Sequence, residues 1–160
     1  MSTRVTILNG PNLNLLGVRE PRIYGSTTLA SIESSCRRFA EILGVSLTFR
    51  QSNHEGVLID WVQEAREGSD GIIINPAAYT FTSVALLDAL KMFDGPIIEL
   101  HISNIHAREA TYHHSRISPM ARAVICGLGA YGYLVAVQSM AQMLNALPDG
   151  ARLPARIEPE

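Results

Sequence analysis

Apolar residues follow two alternating patterns along the chain. Short runs rich in Val and Ile are typical of buried strands, and they occupy residues 5–8, 45–49, 71–74, 96–102 and 123–126. Longer stretches have apolar residues at helical spacing, at residues 29–43, 57–65, 84–93 and 134–147. Because helical crossovers join parallel strands and cover both faces of their sheet, the alternation predicts a flavodoxin-like, doubly wound α/β fold with five parallel strands.

Polar residues and glycines stand where the predicted helices begin and end. Thr27 and Thr28 precede the first helix and Gly44 follows it, and these residue types cap helix termini. A chain of 160 residues suits one domain, which we expect to span residues 1–147. The segment 148–160 contains three prolines and mixed charges and is predicted to be a poorly ordered tail.

Composition and charge argue against several classes of function. The formal charge of -2 gives no electrostatic reason to bind nucleic acid or an anionic membrane. The N-terminal apolar stretch is too short for the core of a signal peptide, and no apolar run reaches membrane-spanning length. Cys36 and Cys126 lack C-x-x-C spacing and favour free thiols over a disulfide. Together these features predict a cytoplasmic protein.

In a doubly wound fold, ligands bind beside the carboxyl ends of the strands, where the strand order reverses. Four predicted loops meet this condition: residues 9–26, 75–82, 101–118 and 127–132. The first is long for a connection between a strand and a helix, which predicts a binding loop or lid. The second contains Phe81, an apolar ring among Asn, Tyr and Thr residues, which is either a core anchor or a ligand contact.

The segment GLGAYG, residues 127–132, matches the G-x-G-x-x-G pattern of dinucleotide sites. That motif belongs to the first strand-helix turn of a βαβ unit, whereas no predicted strand follows it here. Tight packing of a helix on the sheet is therefore the preferred interpretation, and we expect no organic cofactor. Four of the five histidines crowd one segment without the spacing of zinc motifs, so we expect no metal; they are His101, His106, His113 and His114.

His101 ends the fourth predicted strand, and Glu99 lies two residues earlier on the same strand face. A carboxylate in that position can orient an imidazole and favour its charged form, which a general acid requires. The alternative is a histidine that is satisfied by local hydrogen bonds and has no catalytic role.

The first loop places Arg19, Arg22 and Tyr24 within six residues. A nearby guanidinium favours the phenolate of a tyrosine, so such a pair can abstract a proton beside a carbonyl. The alternative is a solvated, charged loop with a packing tyrosine. Lys91 is the only lysine and lies in a helical pattern away from the strand ends. Its position argues against Schiff-base catalysis and favours an enolate that is stabilised electrostatically.

Four segments together resemble the type II 3-dehydroquinate dehydratases of the shikimate and quinate pathways. They are ILNGPNLNLLGVREPRIYG, IIINPAAYT, ELHISNIHARE and GLGAYGY, in the family's order and spacing, and the resemblance extends over residues 5–145. It implies a hydro-lyase that removes water from a cyclic hydroxy-keto carboxylate through an enolate, with no metal and no organic cofactor. It also implies a dodecamer that is built from four trimers.

The resemblance implies catalytic roles for five residues. Tyr24 is expected to be the base that removes the proton beside the ketone, and Arg19 is expected to favour its phenolate. His101 is expected to be the acid that helps the water leave, oriented by Glu99. Asn12 is expected to hold a water near the enolate oxygen.

A second set of residues is implied in substrate binding. Asn75, Ser103 and the backbone of Ile102 are expected to hold the carboxylate. Asp88 is expected to contribute from a neighbouring subunit of the trimer.

Two positions of the substrate-binding set depart from the family pattern. Phe81 stands where the family has His, and Tyr112 stands where it has Arg; both family residues contact the ring hydroxyls. A smaller departure is Leu87, where an Arg often precedes the Asp. Because an unpaired buried hydroxyl costs about 1–3 kcal/mol, losing two contacts predicts weaker transition-state binding, by a factor of roughly ten to ten thousand.

Three hypotheses remain open at this point. The first is a type II 3-dehydroquinate dehydratase or a close paralogue with the same anti elimination of water. The second, motivated by Phe81 and Tyr112, is an enzyme of the same chemistry that acts on a less hydroxylated cyclic keto acid. The third is a non-catalytic, oligomeric binding or regulatory protein that keeps the fold and a carboxylate pocket.

Overall fold

The computed structural model describes residues 1–18, 20, 22 and 26–150, and its strands form one sheet. The strands are β1 (Arg4–Asn9), β2 (Ser46–Gln51), β3 (Gly71–Asn75), β4 (Ile97–His101) and β5 (Ala123–Cys126). Their order is β2-β1-β3-β4-β5, and every neighbouring pair is parallel. Because the order reverses between β1 and β3, the sheet is doubly wound. The predicted fold class is confirmed.

Helix ends follow the capping signals of the sequence. The α-helices are α1 (Leu29–Leu43), α2 (Glu55–Gly68), α3 (Tyr79–Thr82), α4 (Val84–Lys91) and α5 (Tyr131–Met143). α1 has the predicted bounds because Thr28 accepts a hydrogen bond from the N–H of Ser31 and Gly44 adopts a φ of 70°. Within the described part of the chain, none of the helices combines the length and apolar character that crossing a membrane requires.

Three segments depart from the regular alternation of strand and helix or from the predicted bounds. Residues 102–122 are all described and contain no α-helix, only the 3-10 helices Ile105–Ala107 and Ala110–Tyr112, because the segment lacks an apolar helical period. α5 begins three residues before the predicted residue 134, since Gly132 and Tyr133 are already buried in it. The single turn α3 forms where a loop was predicted. The alternation of strand and helix is therefore interrupted between β4 and β5, where the sequence predicted a loop over residues 101–118 and no helix.

Helices cover both faces of the sheet, and each face has its own core. One core joins α1 and α5 to Ile73, and the other joins α2 and α4 to Ile72 and Ile74. Successive side chains of a strand point to opposite faces, which is why these neighbours belong to different cores. Each such fully buried aliphatic side chain stabilises the fold by about 1.5–3 kcal/mol relative to an exposed one. The two cores hold the strand ends in place around the cleft described below.

The two cysteines occupy different environments. Cys36 is fully buried on α1, in the core that α1 shares with α5. Burial raises the pKa of its thiol to about 12, and the nearby charge of Glu33 adds to the rise. Cys126, at the end of β5, is only partly buried. Both cysteines are free, and they differ strongly in access to solvent.

Candidate active site

A cleft of about 600 Å³, open to solvent, lies at the carboxyl ends of β1, β3 and β4. This edge contains the point where the strand order reverses, so the cleft lies where the fold predicts a ligand site. The described residues that line it are Pro11, Asn12, Leu13, Asn75, Ala77, Ala78, Phe81, His101, Ile102, Ser103, Ile105, Arg108 and Tyr112.

Most residues that the sequence proposed for the site come together in this cleft. Those that line it are Asn12, Asn75, Phe81, His101, Ile102, Ser103 and Tyr112. Glu99 lies directly behind the cleft on β4, fully buried. Asp88 lies on α4 with an exposed side chain and does not line the cleft. Arg19 and Tyr24 lie outside the described residues.

Glu99 and His101 share one face of β4 and interact directly. Nε2 of His101 is 3.0 Å from Oε1 of Glu99, and both side chains are buried. Nδ1 is therefore the ring nitrogen of His101 that does not bond Glu99. The pair has the geometry in which a carboxylate orients an imidazole.

Hydroxyl groups surround the Glu99 carboxylate. Thr80 and Ser115 each donate to Oε1 at 2.5 Å, and Ser118 donates to Oε2. Burial alone raises the pKa of Glu99, but the hydrogen bonds from His101, Ser115, Ser118 and Thr80 outweigh it and lower the pKa to about 2. Glu99 is therefore a carboxylate at neutral pH, buried but fully hydrogen-bonded.

The chain leaves β1 through a close approach to the end of β3. Gly10 donates its N–H to the carbonyl of Asn75 at 2.8 Å. A Cβ at Gly10 would lie 2.4 Å from the carbonyl oxygen of Pro76, so any larger residue would force the two loops apart. Asn12 follows with a φ of 69°, which Asn tolerates better than most residues, and its N–H donates to Oδ1 of Asn53 at 2.9 Å. These contacts bring Asn12 into the cleft beside Asn75.

The side chain of Asn75 is held by hydrogen bonds at both ends of its amide. Its Oδ1 accepts from the N–H of Ala77 at 3.2 Å, and its Nδ2 donates to the hydroxyl of Tyr133 at 3.0 Å. Only 3% of Asn75 is exposed. Ser103 and Ile102 complete this part of the cleft, and the Ile102 carbonyl accepts the N–H of Gly129 at 3.0 Å. A carboxylate, which only accepts hydrogen bonds, would contact Ile102 through its N–H.

Aromatic rings form the other side of the cleft. The Phe81 ring stacks against His101 with centroids 6.3 Å apart, and it lies nearly perpendicular to the Tyr112 ring with centroids 5.4 Å apart. The guanidinium of Arg108 lies 3.8 Å from the centroid of the Tyr112 ring, within the range of a cation–π contact. Phe81 is therefore a cleft residue rather than a buried core anchor.

The glycine-rich segment packs against the sheet, and one of the clustered histidines makes a local hydrogen bond. Gly132 packs against Leu100, where an added Cβ would lie 3.2 Å from Cδ1, which supports the packing interpretation of GLGAYG. The exposed His113 ring donates a hydrogen bond to the carbonyl of Arg108. Within residues 1–18, 20, 22 and 26–150, no group of three or more His, Cys, Asp or Glu side chains is placed to hold a metal ion.

Several residues that support the cleft were not identified from the sequence. They are Asn9, Thr80, Arg108, Ser115, Ser118 and Tyr133. Thr80 flanks Phe81, so a hydroxyl in that turn was a usable signal. For Tyr133 and Asn9 there was no local signal, because 124 residues separate the two partners of their hydrogen bond.

Comparisons with known proteins agree with one another. The family model described as "Dehydroquinase class II" matches residues 3–141. The chain is 56% identical over 148 residues to the 3-dehydroquinate dehydratase of Dinoroseobacter shibae, covering 92% of this chain and 98% of that protein. It is 58% identical over 141 residues to the catabolic 3-dehydroquinase 1 of Neosartorya fischeri, covering 88% and 94%. The crystal structure of the type II dehydroquinase from Propionibacterium acnes matches with a TM-score of 0.85 and 40% identity, covering 88% and 97%.

Proposed function

Since the chain belongs to the class II dehydroquinase family, we propose that it is a 3-dehydroquinate dehydratase. The reaction is an anti elimination of water from 3-dehydroquinate, through an enolate, to give 3-dehydroshikimate. The observation that carries the proposal is the buried Glu99–His101 pair, 3.0 Å apart, at the carboxyl end of β4 and inside the cleft.

The elimination separates into a base step and an acid step. Tyr24, as the phenolate favoured by Arg19, takes the proton beside the ketone, and the electron pair moves into the enolate. His101 then gives a proton to the departing hydroxyl, so that water leaves as the carbon–oxygen bond breaks and the double bond forms. Glu99, already ionised because of its low pKa, orients the His101 ring for that transfer through its hydrogen bond to Nε2. Asn12 holds a water near the enolate oxygen.

The substrate contacts come from residues of the cleft and from one residue of a neighbouring subunit. The carboxylate is held by the Asn75 amide, the Ser103 hydroxyl and the N–H of Ile102, all of which belong to the cleft. Asp88 contributes from a neighbouring subunit, a role that its exposed position on α4 permits. In this proposal the protein is a cytoplasmic dodecamer of four trimers, with one catalytic domain over residues 1–147. Residues 151–160 of the expected tail lie outside the described residues. Light scattering of the purified chain measures the assembly.

Of the three hypotheses, the comparisons favour the first. Relatives named 3-dehydroquinate dehydratase or catabolic 3-dehydroquinase are 53–58% identical to this chain over most of its length. Phe81 and Tyr112 then modify how the ring hydroxyls are recognised, while the proposed acid and base keep the chemistry.

The test is the appearance of enone absorbance with 3-dehydroquinate. The wild-type chain is expected to turn over the substrate, whereas Tyr24→Phe and His101→Asn are expected to lower kcat by about 10²–10⁴. His54→Asn is a matched control, because His54 is exposed and Asn also suits its position at the start of α2. No absorbance change at high enzyme concentration would overturn the proposal.

A further inference from the structure

A continuous chain of hydrogen bonds, buried at its centre and partly buried at its two ends, connects the ends of β2, β1 and β3 behind the cleft. Asn9 donates through Nδ2 to the carbonyl of Arg50 at 3.0 Å. The hydroxyl of Tyr133, from α5, donates to Oδ1 of Asn9 at 2.7 Å and accepts from Nδ2 of Asn75 at 3.0 Å. Oδ1 of Asn75 accepts from the N–H of Ala77 at 3.2 Å.

Backbone groups at the two ends fix the direction of this chain. The Arg50 carbonyl can only accept, so it selects the Nδ2 side of Asn9 and turns Oδ1 towards Tyr133. The Ala77 N–H can only donate, so it selects Oδ1 of Asn75 and turns Nδ2 towards Tyr133. A hydroxyl that donates once and accepts once is the group that joins these two amides without leaving a buried polar atom unpaired.

We infer that Tyr133 is a positioning residue, which orients the Asn75 amide so that its second Nδ2 hydrogen is presented to an anionic oxygen of a ligand. The Asn75 nitrogen carries two hydrogens, and Tyr133 uses one of them. Asn75 lines the cleft, so the other hydrogen is left for the ligand. This inference rests on the proposed function only in naming the ligand as the substrate carboxylate.

The surroundings of Tyr133 suit a fixed donor. The residue is fully buried, with its ring 6.2 Å from that of Phe49. Burial raises the pKa of its hydroxyl, so the proton that Asn9 accepts stays in place at any physiological pH. Without the hydroxyl, each amide would keep only its hydrogen bond to one backbone group, so both amides would be held less firmly.

The experiment is a double-mutant cycle between Tyr133→Phe and Asn75→Ala, with KM and kcat for 3-dehydroquinate as readouts. Tyr133→Phe keeps the buried ring and removes only the hydroxyl. We expect it to raise KM about tenfold and to change kcat less than threefold, because a carboxylate contact is the same in the bound substrate and in the transition state. In the Asn75→Ala background the same change is expected to leave KM unaltered.

Tyr131→Phe is the matched control. Tyr131 also lies on α5, but two thirds of its surface is exposed, so removal of its hydroxyl is expected to change neither constant. Asn9→Ala tests the chain from its other end, and we expect a smaller rise of KM with kcat again preserved. It also keeps the inference testable if Tyr133→Phe does not fold.

Two outcomes overturn the inference: an unchanged KM in both Tyr133→Phe and Asn9→Ala, or a rise of KM for Tyr133→Phe that is equally large when Asn75 is already Ala. Calorimetric binding of quinate, a cyclic hydroxy carboxylate, provides a readout that does not need turnover. If the wild-type chain binds quinate but converts no 3-dehydroquinate, the proposed function fails. The role of Tyr133 still stands if Tyr133→Phe weakens quinate binding only when Asn75 is present, and it fails otherwise.

Discussion

The two sides of the cleft are held in place by different kinds of interaction. The polar wall, formed by Asn75 and His101 with Glu99 behind them, is supported by hydrogen bonds to buried partners. The aromatic wall, formed by Phe81, Tyr112 and Arg108, is supported by ring contacts and a cation–π contact. Hydrogen bonds are directional and ring contacts much less so. In the proposed function, the polar wall carries the chemistry and the aromatic wall selects the ring that is accepted.

The largest effect is expected when the polar wall loses its buried charge. Glu99→Gln keeps the size of the side chain but replaces one acceptor oxygen by an amide donor that faces Thr80, Ser115 or Ser118. We expect the free energy of unfolding to fall by about 3 kcal/mol and kcat to fall by about 10²–10⁴, as measured by urea unfolding and steady-state kinetics. The control is Glu64→Gln, which breaks the exposed ion pair with Arg50 and is expected to cost less than about 1 kcal/mol. Equal losses in the two variants would contradict this view of the polar wall.

The free energy of unfolding should also depend on pH because of Glu99 in the polar wall. The pKa of Glu99 is about 2 in the folded protein against 4.5 when unperturbed, so the unfolded state binds the proton more tightly. The stabilisation that results is complete above about pH 4.5 and is lost as the pH falls towards 2, and it is worth about 3 kcal/mol. Urea unfolding between pH 6 and pH 3 measures this slope. The slope should become shallower in Glu99→Gln and stay unchanged in Phe81→Leu, and a slope that is the same in all three proteins would show that Glu99 is not responsible.

On the aromatic wall, restoring hydrogen-bonding groups should improve the recognition of hydroxyls. The double variant Phe81→His with Tyr112→Arg is expected to raise kcat/KM for 3-dehydroquinate at least tenfold, since each restored contact to a hydroxyl contributes about 1–3 kcal/mol. Most of the gain should come from Phe81→His, because an arginine at position 112 would lie beside Arg108 and be repelled by it. A double variant with unchanged or lower kcat/KM would mean that these two residues do not limit substrate recognition.

The smallest effect on the kinetic constants is expected when Arg108 loses its cation–π contact with Tyr112. Tyr112→Leu removes the ring over which the guanidinium lies, and a partly exposed cation–π contact is worth about 0.5–1 kcal/mol. We expect KM to rise about two- to fivefold, with kcat and thermal stability close to those of the parent chain. Tyr112→Phe keeps the ring face and is the matched control. If Tyr112→Phe had the larger effect, the hydroxyl rather than the ring face would be the important group.

Elements with local signals were predicted well from the sequence. α1 was predicted to the residue because Thr28 and Gly44 mark its ends by capping, and β5 was predicted to the residue from its apolar run alone. α5 was predicted to begin too late, because GLGAYG resembled a loop although Gly132 already lies within the helix. The segment between β4 and β5 was predicted as a loop, and the 3-10 turns within it were missed, although Asn104 caps one of them.

The candidate site was predictable in part. Glu99 and His101 are two residues apart, so the period of a strand was enough to place them on one face. The support for Asn75 could not be inferred, because Tyr133 lies 58 residues away in sequence and on a different element. The contact of Arg108 with Tyr112 was missed for another reason: they are four positions apart, but Arg108 lies between two short 3-10 helices and Tyr112 ends the second of them, so no single helical period relates them. The roles of Arg19 and Tyr24 stay predictions.

The difference in solvent access between Cys36 and Cys126 allows local opening of the fold to be measured within one chain. A thiolate attacks a thiol reagent, and because Cys36 is fully buried in the core that α1 shares with α5, we expect it to react slowly, when this part of the structure opens. Cys126 serves as the rapidly labelled reference within the same chain. The ratio of the two labelling rates, followed by mass spectrometry without denaturant, therefore reports how often this helical layer lifts from the sheet. The same measurement with a ligand bound would show whether occupation of the cleft slows that opening. Tyr133 connects the two regions, because it belongs to α5 and its hydroxyl bonds the cleft residue Asn75.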